Sequence, residues 1–211
     1  MQLQTLKPFG PTILKTKIPE KLLNDINNYI EELILNKNKI DHLDFGNNLA
    51  GDVSQEFLLD SNFIKKVGWL DFLGKCVFEW IKKDLKKEIK KFNVLSSWVV
   101  RQYQNEYNPV HWHNGHISGA GFLKVPKNLG DFSQKDKKSG RAYKGGNLNF
   151  IHGSKMFLSE SVISVRPEVG DFYFFPNYLM HTVYPFKNTH EERRSISFNA
   201  EIDQNIFDVY T

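Results

Sequence analysis

Five short runs decide the fold: Gly146-Asn147-Leu148-Asn149-Phe150-Ile151, Val162-Ile163-Ser164-Val165, Asp171-Phe172-Tyr173-Phe174-Phe175, Thr182-Val183-Tyr184 and Ser195-Ile196-Ser197-Phe198-Asn199-Ala200. Each is rich in β-branched or aromatic residues, and Gly, Pro or Asn separates one from the next. That rhythm predicts an all-β sandwich or barrel, with a jelly roll as the natural candidate. An aromatic fraction of 14%, with 17 Phe and 8 Tyr, suits strands packed on both faces. Upstream, Leu95 to Tyr103 and Ile117 to Pro126 read as two more strands. Gly119 and Gly121 in the second of these remove side chains, which implies that something lies close to that backbone.

Before residue 92 the period changes. Pro19 and Glu20 open a stripe of Leu22, Leu23, Ile26, Tyr29, Ile30, Leu33 and Ile34 at helical spacing, ending near residue 37. A second helix carries Trp69, Leu70, Leu73, Val77, Trp80, Ile81, Leu85 and Ile89 three or four apart, and is expected to buttress a sheet. Between them, Asp41 to Asp60 reads as a loop with one helical turn at Gln55 to Leu58. The 211 residues thus form one domain: a helical flank with an entry strand over 1–92, and a jelly-roll core over 93–211. The polar stretch 127–145 is expected to be a mobile loop bordering a substrate site.

Cys76 is the only cysteine, so an intramolecular disulfide is excluded, and on its helix it reads as a small buried hydrophobe. No secretory leader or long apolar run stands out, and the expected location is the cytoplasm, without a membrane partner. The net charge of +4 raises nucleic-acid binding. Much of the excess sits between Lys82 and Lys91, interleaved with Asp84, Glu88 and apolar residues, which is the pattern of a solvated helix face.

His111-Trp112-His113-Asn114-Gly115-His116 places three imidazoles in six residues, which points to a metal. On a strand, His111 and His113 share a face while Trp112 faces away. Asn114-Gly115 reads as a two-residue hairpin turn, setting His116 opposite His113 and Ser118 opposite His111. His181 is the distal imidazole that the later strands can bring back to this pair. His42, His152 and His190 sit among polar residues and read as solvated.

From Asn108 to Glu201 the chain resembles the iron(II) and 2-oxoglutarate-dependent oxygenases, in particular a small prolyl-hydroxylase-like group. The resemblance is carried by Asn108-Pro109-Val110-His111-Trp112-His113, by Ser118-Gly119 before a strand ending Lys124-Val125-Pro126, by Pro167-Glu168-Val169-Gly170-Asp171 before Phe175-Pro176, and by His181 and Arg193-Arg194-Ser195. It implies a double-stranded β-helix with flanking N-terminal helices, and a dioxygenase that hydroxylates its substrate while 2-oxoglutarate becomes succinate and CO2. It implies iron(II) on His111, His113 and His181, with 2-oxoglutarate and dioxygen as co-reactants and ascorbate as a supporting reductant. Arg193 and Ser195, two apart on a strand, would hold the distal carboxylate of 2-oxoglutarate, with Arg194 turned the other way. Ser118 and Asn199 share the inward parity and are candidate cofactor-lining groups. The substrate, a protein residue or a small molecule, is not specified.

Most members of this superfamily carry a carboxylate where His113 stands, so three neutral imidazoles change the metal balance. One alternative takes His113 as first ligand with Gly115 at the carboxylate position, the vacancy of the halogenating branch; another makes His116 the second ligand. A reading from a different class is a cupin-like module that holds zinc or nickel without redox chemistry.

Overall fold

The computed structural model describes residues 3–6, 10–129 and 145–209. Its strands are β1 (Leu3–Leu6), β2 (Ile13–Lys17), β3 (Gln55–Leu58), β4 (Phe92–Gln102), β5 (Asn108–His111), β6 (Ile117–Lys124), β7 (Leu148–Ile151), β8 (Val162–Val165), β9 (Asp171–Pro176), β10 (Met180–Val183) and β11 (Arg193–Ile202). They form two antiparallel sheets, ordered β1-β2-β9-β6-β11-β4-β3 and β5-β10-β7-β8. This is the double-stranded β-helix, and the helices lie outside it. Most of the expected 127–145 loop lies outside the described residues. No helix among those described is long and apolar enough to cross a membrane.

Alternation along the strands creates two cores. Phe172, Phe174, Ile196 and Phe198 point outward from the large sheet and pack on Ile26 and Ile30 of α1 (Glu20–Leu35), and on Trp69, Leu73 and Val77 of α4 (Trp69–Leu85). Phe122, Tyr173 and Phe175 point inward and meet Leu148, Phe150 and Val183 of the small sheet. Each such side chain contributes about 1.5–3 kcal/mol by leaving water. The indole of Trp69 donates to Ser97 Oγ at 3.0 Å, and that hydroxyl donates to the Ser197 carbonyl at 2.9 Å, pinning α4 to β4 and β11. Cys76 is fully buried on the same face of α4.

The glycines of β6 have an identified neighbour. A Cβ at Gly119 would lie 2.7 Å from the Phe172 ring, and one at Gly121 would overlap that ring and stand 2.8 Å from the Asp171 carbonyl. The missing side chains let β9 place a large ring over β6.

Several local expectations are corrected. Gln55–Leu58 is strand β3, paired with β4 through Glu56 opposite Val100, rather than a helical turn. The free edge of β4 supplies hydrogen bonds that a single isolated turn does not, so tertiary pairing overrides local preference. With β1 and β2, this edge strand means that the region 1–92 contributes three strands to the large sheet as well as helices. Two short helices went unread in the sequence: α2 (Lys37–His42), capped by Asn36 accepting from the Lys39 amide, and α3 (Ser61–Lys66), capped by Asp60 accepting from the Asn62 and Phe63 amides. Helix α4 stops at Leu85 because Lys86 adopts a left-handed conformation at φ 56°, although Ile89 still reaches the same core.

The largest correction concerns the expected hairpin. Strands β5 and β6 lie in different sheets, so residues 112–116 cross from one to the other. Gly115 adopts φ 82°, and a Cβ there would approach the Ala200 carbonyl to 2.8 Å, so the turn needs glycine twice over. Ser118 therefore pairs with Phe175 and Asn199, not with His111. His116 turns away: its ring stacks on Phe207 at 4.0 Å, and its Nδ1 accepts from the Ile202 amide. Phe207 ends α5 (Gln204–Phe207).

Candidate metal centre

β5 and β10 bring the first and last histidines together by register, since His111 and His181 are direct partners across that ladder. His113 follows two residues after β5 ends, and its amide donates to the Asn177 carbonyl at 3.0 Å while the Asn177 side-chain amide donates back to the His113 carbonyl at 3.2 Å. One donor nitrogen from each of the three rings lies within 4.8 Å of the others. Phe175 and Phe150 form an apolar bed beneath His181, with ring centroids 4.9 and 6.4 Å away.

The hydrogen bonds fix the tautomers. His111 Nδ1 lies 2.7 Å from the Pro109 carbonyl and His181 Nδ1 lies 3.0 Å from the Leu179 carbonyl. A carbonyl only accepts, so both Nδ1 atoms carry the hydrogen and both Nε2 atoms present lone pairs inward. His113 Nε2 and His181 Nε2 are 3.1 Å apart. Two nitrogens bound at 2.0–2.1 Å and at right angles on one ion are about 2.9 Å apart, so the donor set fits a divalent ion held on one face. Burial first, and neighbouring imidazoles second, lower the His113 pKa to about 3 and push that of His181 well down, while burial lowers that of His111. All three rings are therefore neutral at physiological pH, the state in which an imidazole can take a metal.

The same cavity is lined by Arg193 and Ser195 from β11, and by Glu56, Trp98, Val100 and Asn108 from neighbouring strands. Arg193 is 2% exposed. Its Nε donates to the Gly146 carbonyl at 3.0 Å, one terminal nitrogen donates to Gln102 Oε1 at 3.2 Å, and its guanidinium sits 5.1 Å over the Phe122 ring. Burial lowers its pKa to about 10, which leaves it cationic at neutral pH. Among the described residues it forms no ion pair with a carboxylate. Arg194 points to the opposite face, where Glu192 and Glu31 bind it at 2.8–2.9 Å. A buried cation facing a cavity, with no counter-ion among the described residues, has the chemistry to take an anion.

Ser118 and Asn199 share the inward face but hydrogen-bond to each other, Oγ donating to Oδ1 at 2.8 Å, and neither lines this cavity. Sequence reasoning passed over Gln102, which steadies Arg193, and Asn177, which holds His113. It also passed over Glu56, because the segment carrying it reads as loop. Gln102 shares strand β4 with the predicted run and has inward parity, a signal that could have found it.

Residues 96–199, about half of the chain, match the family model described as "Putative 2OG-Fe(II) oxygenase". No curated protein matches the chain. Among solved structures it is similar to a Pseudomonas putida prolyl-4-hydroxylase, with TM-score 0.55 and 12% identity over 89% of this chain and 91% of that one. It is similar to the viral collagen prolyl hydroxylase of Paramecium Bursaria Chlorella virus-1 in its 2OG complex, with TM-score 0.51 and 17% identity over 88% and 94%. A prolyl hydroxylase from Trichoplax adhaerens, in complex with a hypoxia inducible factor peptide fragment, gives TM-score 0.54 and 11% identity over 94% and 87%. At these identities the structures speak for the fold, and the family match carries one conclusion: residues 96–199 belong to the 2OG-Fe(II) oxygenase family.

Proposed function

We propose that the protein is an iron(II)- and 2-oxoglutarate-dependent dioxygenase that hydroxylates a substrate C–H bond. The observation that supports this reading most is the pairing, in one cavity, of three convergent neutral imidazoles with a buried guanidinium that has no carboxylate partner among the described residues. His111, His113 and His181 would hold iron(II) by one face and leave its other positions open. When bound, the metal supplies the dioxygen chemistry in which 2-oxoglutarate is oxidised to succinate and CO2 and one oxygen atom enters the substrate.

The chain's own residues bind and orient. Arg193 would take the distal carboxylate of 2-oxoglutarate through its planar fork, with Ser195 Oγ beside it at 3.5 Å from a guanidinium nitrogen. Gln102 and the Gly146 carbonyl keep that guanidinium aimed, so little rotamer freedom is lost on binding. Phe122, Leu148 and Val183 keep the wall between anchor and imidazoles apolar, which strengthens the ion pair by excluding water. A peptide residue is one substrate class consistent with the prolyl hydroxylase neighbours.

The test is succinate release with iron(II), ascorbate and dioxygen, which is expected in the native protein and abolished in His181→Ala and Arg193→Ala. Equal turnover in both variants and the native protein overturns the assignment. The all-imidazole donor set also suits zinc, which favours a non-redox metal module as the second reading. A new visible absorption band on adding 2-oxoglutarate to the iron(II) protein without oxygen separates the two.

A further inference from the structure

We propose that Glu56 is a specificity-determining residue and that the substrate carries a basic nitrogen, an amine or a guanidinium, which the Glu56 carboxylate binds inside the histidine cavity. The word substrate here rests on the oxygenase reading above. Three acidic side chains are buried among the described residues: Glu56, Asp171 and Glu192. Asp171 is paired with Lys15 and Lys17, at 2.8 and 2.6 Å. Glu192 is clamped by Arg101 and Arg194. Glu56, at 3% exposure, has no such cation among the described residues, and its Oε1 meets no hydrogen-bond donor among them. Leaving a carboxylate so placed is costly unless a ligand completes it.

Its position fits a ligand rather than the fold. Glu56 lines the cavity of the histidine triad and also an outer groove that holds Asp41 and Asp44. That groove has no Lys or Arg in its described lining, on a chain whose net charge is +4. A cation approaching through it meets two surface carboxylates and then Glu56. Gly51 makes room for the arrangement, since a Cβ there would stand 2.8 Å from Oε1.

Register separates this end of the cavity from the anion end. Glu56 pairs with Val100 and Val100 pairs with Ser195, so Glu56 lies two strands from Ser195, about 10 Å along the hydrogen-bonding direction. One end therefore offers Arg193 and Ser195 to an anion, and the other offers a carboxylate to a cation. Glu56 is not among the residues whose donor atoms cluster within 4.8 Å, so a fourth metal ligand is the poorer assignment.

The experiment compares matched probes by calorimetry on zinc-loaded protein with 2-oxoglutarate present: L-arginine amide against L-citrulline amide, and L-lysine amide against L-norleucine amide. The native protein is expected to prefer each basic probe by about tenfold or more, the scale of a desolvated charge-assisted contact. Glu56→Gln brings the ratio close to one, and Gly51→Ala, which pushes the carboxyl aside, reduces it. Because the readout is a ratio within one preparation, a loss of folded protein does not mimic the effect, and Gly51→Ala carries the comparison alone if Glu56→Gln does not fold. A native ratio near one, including no binding of either probe, overturns the proposal, as does a ratio that Glu56→Gln leaves intact. The anaerobic iron(II) band with 2-oxoglutarate reports separately: its absence removes the oxygenase reading and leaves a measured cation preference standing, whereas a normal band with a flat ratio overturns this inference alone.

Discussion

His111 and His181 face each other across the β5–β10 ladder, and each ring is locked by an Nδ1–H bond to the carbonyl two residues back in its own chain. The repeated device aims both Nε2 atoms at one point without an ion present, so a metal would bind there with little reorganisation cost. His181→Ala is accordingly expected to weaken iron(II) or zinc binding by roughly 100-fold or more, beyond the 10–100-fold typical of losing an outer partner. Metal titration followed by calorimetry checks this, and His116→Ala, which alters a ring stacked on Phe207, should leave affinity within a few-fold.

Arg193 and Arg194 are adjacent in sequence and opposite in environment, which makes them a controlled pair. Arg193→Ala is expected to weaken 2-oxoglutarate binding about 10- to 100-fold, corresponding to about 1.5–3 kcal/mol for hydrogen bonds to a charged group. Arg193→Lys should recover only part, because the planar fork is lost. Arg194→Ala removes one of the two guanidinium partners of Glu192 and leaves Arg101 in place, so it should lower stability by about 1.5–3 kcal/mol with little change in cosubstrate affinity. If the two variants exchange phenotypes, the register of β11 assigned to the cavity is wrong.

The jelly roll was legible because its later strands alternate and are punctuated by Gly, Pro and Asn, a local pattern that pairing reinforces. Parity alone placed Arg193 and Ser195 on one face and Arg194 on the other. The Asn114-Gly115 hairpin failed for an equally physical reason: a dipeptide reports that the chain turns, not which sheet receives the next strand, and Gly115 serves a crossover against the Ala200 carbonyl. Ser118 and Asn199 have the right parity but lie too far along their strands, so they bond to each other. Glu56 was illegible because its strand exists only through pairing with β4.

Gly121 offers a test of the packing rather than the chemistry. Gly121→Ala puts a Cβ into the Phe172 ring and against the Asp171 carbonyl, neither of which can retreat without moving β9. Overpacking of this kind costs about 1–3 kcal/mol. Denaturant melts should show the loss, and Gly121→Ala combined with Phe172→Leu should recover part of it.

Acid sensitivity has a specific source in Glu192. Burial pushes its carboxyl up, but Arg194 and Arg101 hold it down to about 2, below the usual 4.5. A carboxyl with a depressed folded pKa contributes stability that is present above about pH 4.5 and lost as pH falls toward 2. The contribution is on the order of 3 kcal/mol at neutral pH. Glu192→Gln should therefore flatten the acid limb of a stability–pH curve.

Glu56 has the opposite sign. Burial first, and the charge of Asp44 second, raise its pKa to about 7 from 4.5. Between those values the folded protein holds a proton that the unfolded chain releases, so this residue's contribution is fully present below about pH 4.5 and is lost as pH rises through 7. In metal-free protein Glu56→Gln should raise stability at pH 8 by up to about 3 kcal/mol and change it little at pH 4. Thermal melts at the two values check the prediction. A side chain whose removal strengthens the fold is retained for something the fold does not need, and a variant that is less stable at pH 8 would return Glu56 to a structural role.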